Sequence, residues 1–254
     1  MLQVFFVAFG KEWMEQRRSH RLLVVAVVLV AFGLSSPLLA KLTPELIRLV
    51  PEGEALVPLI PPPTVADAVA QYVKNLSQFG IVLALLMAMG AVAQEKDKGT
   101  AALMLVKPMP RGAFLLAKFA ALAITFAISV ALAGAAGYIY TLLLFEEPNV
   151  SGWLALNGLL LLFVLVFVAL TLLCSTLTRS QAAAGGLAFG ALVILSAVGA
   201  IPAIGEYLPG QLIVWGVGLT LGTGQASWPA LWVSLGLIAT ALAGAWLIFR
   251  RQEL

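Results

Sequence analysis

Apolar residues are arranged in six long runs that are separated by short polar or charged segments. A helix needs about 20 predominantly apolar residues to cross a bilayer, and each run approaches this length without a charged residue at its centre. The runs are 22–40, 76–93, 119–140, 153–173, 182–201 and 230–249. This pattern predicts an all-α integral membrane protein with six transmembrane helices, in which residues 1–254 form a single transmembrane domain.

The composition excludes an ordinary soluble enzyme. Hydrophobic residues make up 61% of the chain and charged residues only 11%, whereas about a quarter of the residues of a soluble domain are charged. The single cysteine, Cys174, allows no internal disulfide and is expected to be a small packing residue. Together with the single histidine, His20, it makes no convincing metal site. The net charge of +3 predicts no nucleic-acid partner.

Basic residues flank the runs asymmetrically. Of the 15 lysines and arginines, only Lys41, Arg48 and Lys74 belong to the connections on the side opposite to the N terminus. Short connections rich in Lys and Arg stay on the cytoplasmic side of a membrane. We therefore expect a multi-pass protein of the cell (inner) membrane, with both termini and the connection between the second and third spans in the cytoplasm.

Residues 1–18 have the period of an amphipathic helix, with Leu2, Phe6, Phe9 and Trp13 on one face. An apolar, aromatic face opposite a mixed charged face is typical of a helix that lies in the membrane interface. We predict such an interface helix before the first span. A helix packed on a cytoplasmic partner remains the alternative.

The first outer connection, 41–75, is the largest segment outside the predicted spans. Prolines break it into short pieces, after which Thr64 is placed to cap a helix that carries Val69 and Val73 into the second span. The connection is too small for an independent binding domain. Two roles for this connection are left as alternatives: a cap over an outer vestibule, or a passive connector.

A second outer segment, 202–229, contains the apolar piece 211–222, which is too short to cross a membrane. Counting this piece as a seventh span would place Arg250 and Arg251 outside, against the charge rule. We expect a short re-entrant or surface helix before the last span. A simple lid loop is the alternative.

Small residues cluster at the start of the fifth span, among them Gly185, Gly186 and Gly190. Glycines four residues apart let two helix backbones approach closely in a membrane. They are candidates for packing at a dimer interface or along a transport path. Ordinary packing within one subunit explains the same residues equally well.

Catalytic chemistry is absent from the sequence. The span centres offer only hydroxyl and amide side chains, such as Thr125, Ser129 and Thr171, so neither a proton relay nor intramembrane catalysis is supported. Lys118, near the inner end of the third span, is expected to extend towards the interface. The chain also contains no phosphate-binding loop, so it is not itself an enzyme. Any ATPase must be a separate polypeptide.

The most informative segment is the charged island 94–111 between the second and third spans. Glu95 lies where a carboxylate favours a helix N terminus, and Gly99 with Thr100 permits a tight turn. A Leu-rich piece follows and ends before Arg111 opens the third span. The pattern predicts a short cytoplasmic helix that fits a groove on a soluble partner. A connection that tucks under the bundle is the alternative.

These residues resemble the coupling-helix region of type-2 ABC exporter permeases. The start of the chain resembles the N-terminal elbow helix of that family, and Arg179, Ser180 and Gln181 resemble its second inner loop. The likeness is greatest to the single-domain permeases grouped with those of copper-enzyme maturation. The residues that carry the resemblance to the coupling region are Glu95, Lys98, Gly99, Thr100, Leu103, Pro108 and Arg111.

The resemblance implies an exporter made of two permease subunits, identical or sister chains, and two ABC ATPase subunits that bind ATP and Mg. It implies no cofactor in this chain. The second and fifth spans would line the path of an amphipathic or hydrophobic cargo through the lipid bilayer. The alternative function is a membrane anchor of an ATPase complex, which does mechanical or maturation work on an outer partner without transporting a cargo.

Overall fold

The computed structural model describes residues 2–49, 51, 61–100 and 110–252. Within these ranges the protein is built from helices and contains no strand, as predicted. The helices are α1 (Leu2–Arg18), α2 (Arg21–Arg48), α3 (Val65–Ala88), α4 (Ala93–Asp97), α5 (Arg111–Leu144), α6 (Val150–Leu177), α7 (Gln181–Gly199), α8 (Pro202–Gly205), α9 (Gly210–Leu221) and α10 (Trp228–Arg251).

The described residues include 6 helices that are long and apolar enough to cross a membrane, which confirms the predicted number. They are α2, α3 together with α4, α5, α6, α7 and α10. Several extend beyond the predicted runs. Because α2 continues to Arg48 and α3 already begins at Val65, helical residues occupy both ends of segment 41–75.

The start of α3 shows the predicted cap. The main-chain N–H and the hydroxyl of Thr64 both donate to Oδ2 of Asp67, at 2.8 and 2.7 Å. The carboxylate of Asp67 thereby gives a partner to the main-chain N–H of Thr64, a donor that the start of a helix otherwise leaves unpaired. Val69 and Val73 are buried one and two turns further on, so the capped turn continues directly into the second span.

Helix α6 is the most deeply buried of the six spans and lies at the centre of the bundle. It contacts α3, α5, α7, α9 and α10. Polar side chains join it to its neighbours: the Tyr72 hydroxyl donates to Oδ1 of Asn157 at 2.6 Å, and Nε1 of Trp153 donates to the Gly134 carbonyl at 2.9 Å. Such bonds keep polar groups satisfied where water is excluded.

The outer segment before the last span contains α9, a helix of 12 residues that packs along α6. Gly152 makes this contact possible, because a Cβ at this position would come within 2.2 Å of the Leu219 carbonyl oxygen. The helix ends at Gly222, whose φ of 72° lies in the left-handed region that glycine adopts without strain. The predicted short segment is therefore a helix attached to the central span.

Candidate functional site

A cluster of lysines and carboxylates joins three helices at the end of the bundle that carries the charged island. Nζ of Lys118 on α5 lies 2.8 Å from Oε1 of Glu95 on α4 and 3.0 Å from Oε1 of Glu12 on α1. Nζ of Lys11 lies 2.9 Å from each of the same two carboxylate oxygens. We call these four residues the ionic cluster.

Lys118 is the buried member of the ionic cluster, with only 3% of its side chain exposed. Its ammonium group thus reaches the charged residues at the end of the bundle but is covered from solvent. A buried ammonium group is tolerated when carboxylates compensate its charge, and Glu12 and Glu95 do so here. The ring of Phe114, whose centroid lies 4.9 Å from Nζ, covers another side of the cation.

Helix α1 turns part of its polar face towards the bundle. Its buried residues, Ala8, Glu12 and Gln16, recur every four positions and pack on α5. Phe6 and Val7 are exposed on the other side. The predicted amphipathic helix is thus present, and its buried side carries Glu12, which pairs with Lys118 of α5.

Electrostatics holds Lys11 in its charged form. Partial burial alone would lower the pKa of this ammonium group, but the hydrogen bonds and charges of Glu95 and Glu12 outweigh burial. The pKa of Lys11 therefore lies above its usual value of 10.5. Since α1 and α4 meet through this group, the contact between them persists across the physiological pH range.

The junction of α3 and α4 is fixed by a hydroxyl from α6. Oγ of Ser175 accepts hydrogen bonds from the main-chain N–H groups of Val92 and Ala93, at 3.0 and 2.9 Å. The same hydroxyl donates to the Met89 carbonyl at 2.8 Å. Three main-chain groups that the break in the helix would leave unpaired thus find a partner.

A turn at Gly99 and Thr100 follows α4 in the charged island. Gly99 has a φ of 68°, a left-handed conformation in which a side chain would be strained. The Thr100 hydroxyl bonds back to the Glu95 carbonyl at 3.2 Å. Lys98, Gly99 and Thr100 are exposed. The predicted tight turn at Gly99 is present, and its side chains are accessible to a partner.

The flanks of the island are attached to α10. Arg111 donates from one guanidinium nitrogen to the carbonyls of Phe249, Arg250 and Gln252, at 2.6, 2.9 and 2.8 Å. Nζ of Lys96 donates to the Thr176 carbonyl at 2.8 Å. The start of the third span is thereby joined to the end of the sixth, and the end of the second span to the end of the fourth.

The other residues predicted for the coupling region and the second inner loop do not share one set of contacts. Leu103 and Pro108 lie outside the described residues. The Ser180 hydroxyl accepts a hydrogen bond from the Ala183 N–H at 3.4 Å and caps α7. The side chain of Gln181 faces Gly90, so this loop lies beside the junction of α3 and α4. Arg179 is exposed.

The three glycines near the start of α7 that the sequence singled out differ in their surroundings. A Cβ at Gly185 would meet Sδ of Met89 at 2.9 Å, so this residue packs against α3 within the subunit. No described atom lies within 4 Å of a Cβ built at Gly186 or Gly190. Their side of α7 is open in the single chain.

A cavity of about 650 Å³ lies between α3, α6 and α7 and is bordered on one side by the outer segment. Phe163 and Phe167 of α6 and Val214 of α9 line its apolar part. Polar groups on its wall come from Ser196, Glu206 and Gln211. The cavity thus places an apolar surface next to a few polar side chains.

Sequence reasoning missed the partners that hold the island in place. Lys118 was visible as a charge near a span, but its pairing with Glu12, 106 residues away, depends on how α1 packs. The sequence did not indicate that Ser175 and Gln252 contact the island, because hydroxyl and amide groups are common at helix ends. Lys118, with apolar residues on both sides of it in the sequence, was the one feature that could have indicated the ionic cluster.

Six apolar helices with an ionic cluster at one end define a multi-pass membrane protein. Residues 7–254 match the family model described as ABC-2 family transporter protein, and the chain belongs to this family. The chain is also 28% identical over 262 residues to a protein of Bacillus subtilis (strain 168) described as an uncharacterized transmembrane protein, YxlG, with 99% of both chains covered.

The family membership confirms the resemblance noted in the sequence. It implies that the chain is the membrane subunit of an ABC transporter. Subunits of this kind partner with an ABC ATPase subunit and are generally not catalytic themselves.

Proposed function

We propose that this chain is the permease subunit of an ATP-driven exporter, which couples ATP hydrolysis by a separate ATPase to the movement of an amphipathic or hydrophobic cargo. The observation that carries the proposal is the attachment of the charged island. Glu95 is bonded to α1 and α5 through Lys11 and Lys118, and Arg111 is bonded to the end of α10. A force applied to the island would therefore reach several spans at once.

The partner that applies this force is an ABC ATPase. In our proposal the exposed residues Lys98, Gly99 and Thr100, together with Leu103 and Pro108, enter a groove on the ATPase. Two ATPase subunits bind ATP and Mg, and this chain needs no cofactor of its own. The island and both termini then lie on the cytoplasmic side of the inner membrane, in agreement with the distribution of Lys and Arg.

The cargo class is supported by the cavity between α3 and α7, which are the second and fifth spans. Its aromatic and aliphatic walls would accept an apolar body, while Glu206 and Gln211 could meet a polar group at the edge. Ligand sites of this kind combine a mainly apolar lining with a few polar groups. These surroundings favour an amphipathic cargo over a small ion.

A second permease subunit, identical or a sister chain, would complete the path. The open side of α7 at Gly186 and Gly190 supports this part of the proposal, because small residues let two membrane helices pack closely. Gly185 instead faces Met89 in the same chain, so it would support the path from within the subunit.

The first test is purification of the tagged protein from native membranes in mild detergent, with mass spectrometry and an ATP hydrolysis assay. We expect an ABC ATPase to co-purify and to hydrolyse ATP in a vanadate-sensitive manner. Elution of the protein alone and without activity, in several mild detergents, would overturn the proposal.

A second test asks whether the island is the contact with the ATPase. Gly99→Ala forces a side chain into a left-handed conformation, at a cost of about 1–2 kcal/mol. Gly10→Ala is the matched control, since a Cβ at either position meets no described atom. We expect Gly99→Ala to reduce the ATPase that co-purifies or its stimulation by the permease. Equal results for the two variants would argue against the assigned contact.

A further inference from the structure

Gln252, which follows the last residue of α10, contacts both flanks of segment 97–110. Its side-chain Oε1 accepts a hydrogen bond from Nζ of Lys96 at 3.2 Å. Its main-chain carbonyl accepts one from Arg111 at 2.8 Å. One residue therefore touches the chain immediately before the segment and immediately after it.

The contacts of Gln252 belong to a small network at the ends of three spans. Its Nε2 donates to the Thr176 carbonyl at 2.9 Å, and Lys96 donates to the same oxygen. Lys96 is buried, with 8% exposure. A buried ammonium group needs its acceptors, because losing one leaves a charged donor unsatisfied. The side chain of Gln252 therefore orients Lys96 as well as contacting it.

The last turn of α10 is fixed to the first turn of α5 by independent contacts. Arg111 bonds to the Phe249 and Arg250 carbonyls, which the end of a helix leaves without partners. The rings of Phe114 and Phe249 are stacked with their centroids 5.4 Å apart. A displacement of Arg111 must therefore move the end of α10.

We propose that Gln252 is a positioning residue for the coupling segment: it holds Lys96 and Arg111 at a fixed separation and passes displacements of segment 97–110 to α10. The inference rests on the proposed function, since it assumes that an ATPase moves the segment. It gives the sixth span, which Arg111 already joins to the island, a second connection through Lys96.

The structural part is tested on the permease alone, by amide hydrogen exchange in detergent. Gln252→Ala removes one of the two acceptors of Lys96, so we expect exchange at the amides of 94–100 to rise about tenfold. Gln252→Glu keeps an acceptor for Lys96 and is expected to stay within about twofold of the wild type. The control is Gln3→Ala, which removes an exposed amide at the far end of α1.

The coupling part is tested on the complex with the co-purified ATPase, using ATP and vanadate as the probe. In the wild type we expect trapping to change hydrogen exchange in the last turns of α10. In Gln252→Ala this change should be lost, while ATP hydrolysis stays within about twofold of the wild type. A merely structural role would instead lower ATP hydrolysis and the amount of complex together.

Unchanged exchange at 94–100 in Gln252→Ala would overturn the inference. So would a change on trapping in the last turns of α10 that has the wild-type size in that variant. If the wild-type complex hydrolyses no ATP, the proposed function fails. In that case the exchange data on the permease alone still decide whether Gln252 holds the segment.

Discussion

Lys118 of α5 and Glu95 of α4 form an ion pair of 2.8 Å although only 3% of the lysine side chain is exposed. The lysine is shared with Glu12 of α1, so one buried cation connects the interface helix, the charged island and the third span. Removing the cation would leave two carboxylates close together, compensated only by Lys11, whose side chain is more exposed. The ionic cluster therefore contributes most to the fixed position of the island when all its members are present.

Lys118→Met should destabilise the protein by about 3–5 kcal/mol, because it breaks a buried ion pair and leaves its partners charged. The measurement is the unfolding free energy or the melting temperature in one detergent. Lys74→Met is the matched control, since Lys74 is exposed on α3. A double variant that also carries Glu95→Gln should recover part of the loss. Equal stability of the Lys118 and Lys74 variants would contradict the prediction.

The contribution of Lys11 to stability should not depend on pH in the neutral range. Its pKa is raised in the folded protein, so the contribution is fully present below the unfolded value near 10.5 and is lost only at higher pH. Lys11→Met should therefore lower the melting temperature equally from about pH 6 to about pH 9. A difference from the wild type that shrinks within this range would count against a raised pKa.

Gly152→Ala should detach or displace α9. The new methyl group would meet the Leu219 carbonyl, and overpacking of this kind costs about 1–3 kcal/mol. Gly158→Ala, on the same helix, meets no described atom and serves as the control. It should be neutral or stabilise by up to about 1 kcal/mol. Thermal unfolding and hydrogen exchange in α9 would measure both effects, and equal behaviour of the variants would refute the contact.

Gly186→Leu should prevent pairing of two permease subunits without unfolding either one. Nothing in the described part of the chain opposes a side chain at this position, so the single subunit should keep its melting temperature. Gly236→Leu on α10 is the control, because its Cβ is equally unopposed. Chemical cross-linking in membranes would report the pairing. If Gly186→Leu still gives the cross-linked dimer, the interface does not include this side of α7.

The elements that were predicted correctly from the sequence are those that depend on interactions between residues close together in the chain. Six apolar runs predicted the six spans because a bilayer requires nearly continuous hydrophobicity over that length. The capped start of α3 was predicted from Thr64, and the structure adds Asp67, three residues later, as its partner. The turn at Gly99 was predicted for the same reason, since the backbone itself requires glycine there.

The site was less predictable because its contacts join distant parts of the chain. A periodic pattern shows that α1 is amphipathic, but it does not show which side faces the bundle. Here Glu12 faces inward and pairs with Lys118, which the aromatic stripe of α1 would not suggest. In the same way, the role of Gln252 depends on the meeting of Lys96 and Arg111 in three dimensions.

The inward side of α1 has a consequence for chimaeras built from members of this family. A foreign α1 without a carboxylate at the position of Glu12 would leave Lys118 with one partner fewer, however well its aromatic residues matched the bilayer. The interface helix, the beginning of the charged island and the first turns of the third span thus form one exchangeable module. Recombination boundaries placed between them would separate charges that compensate one another.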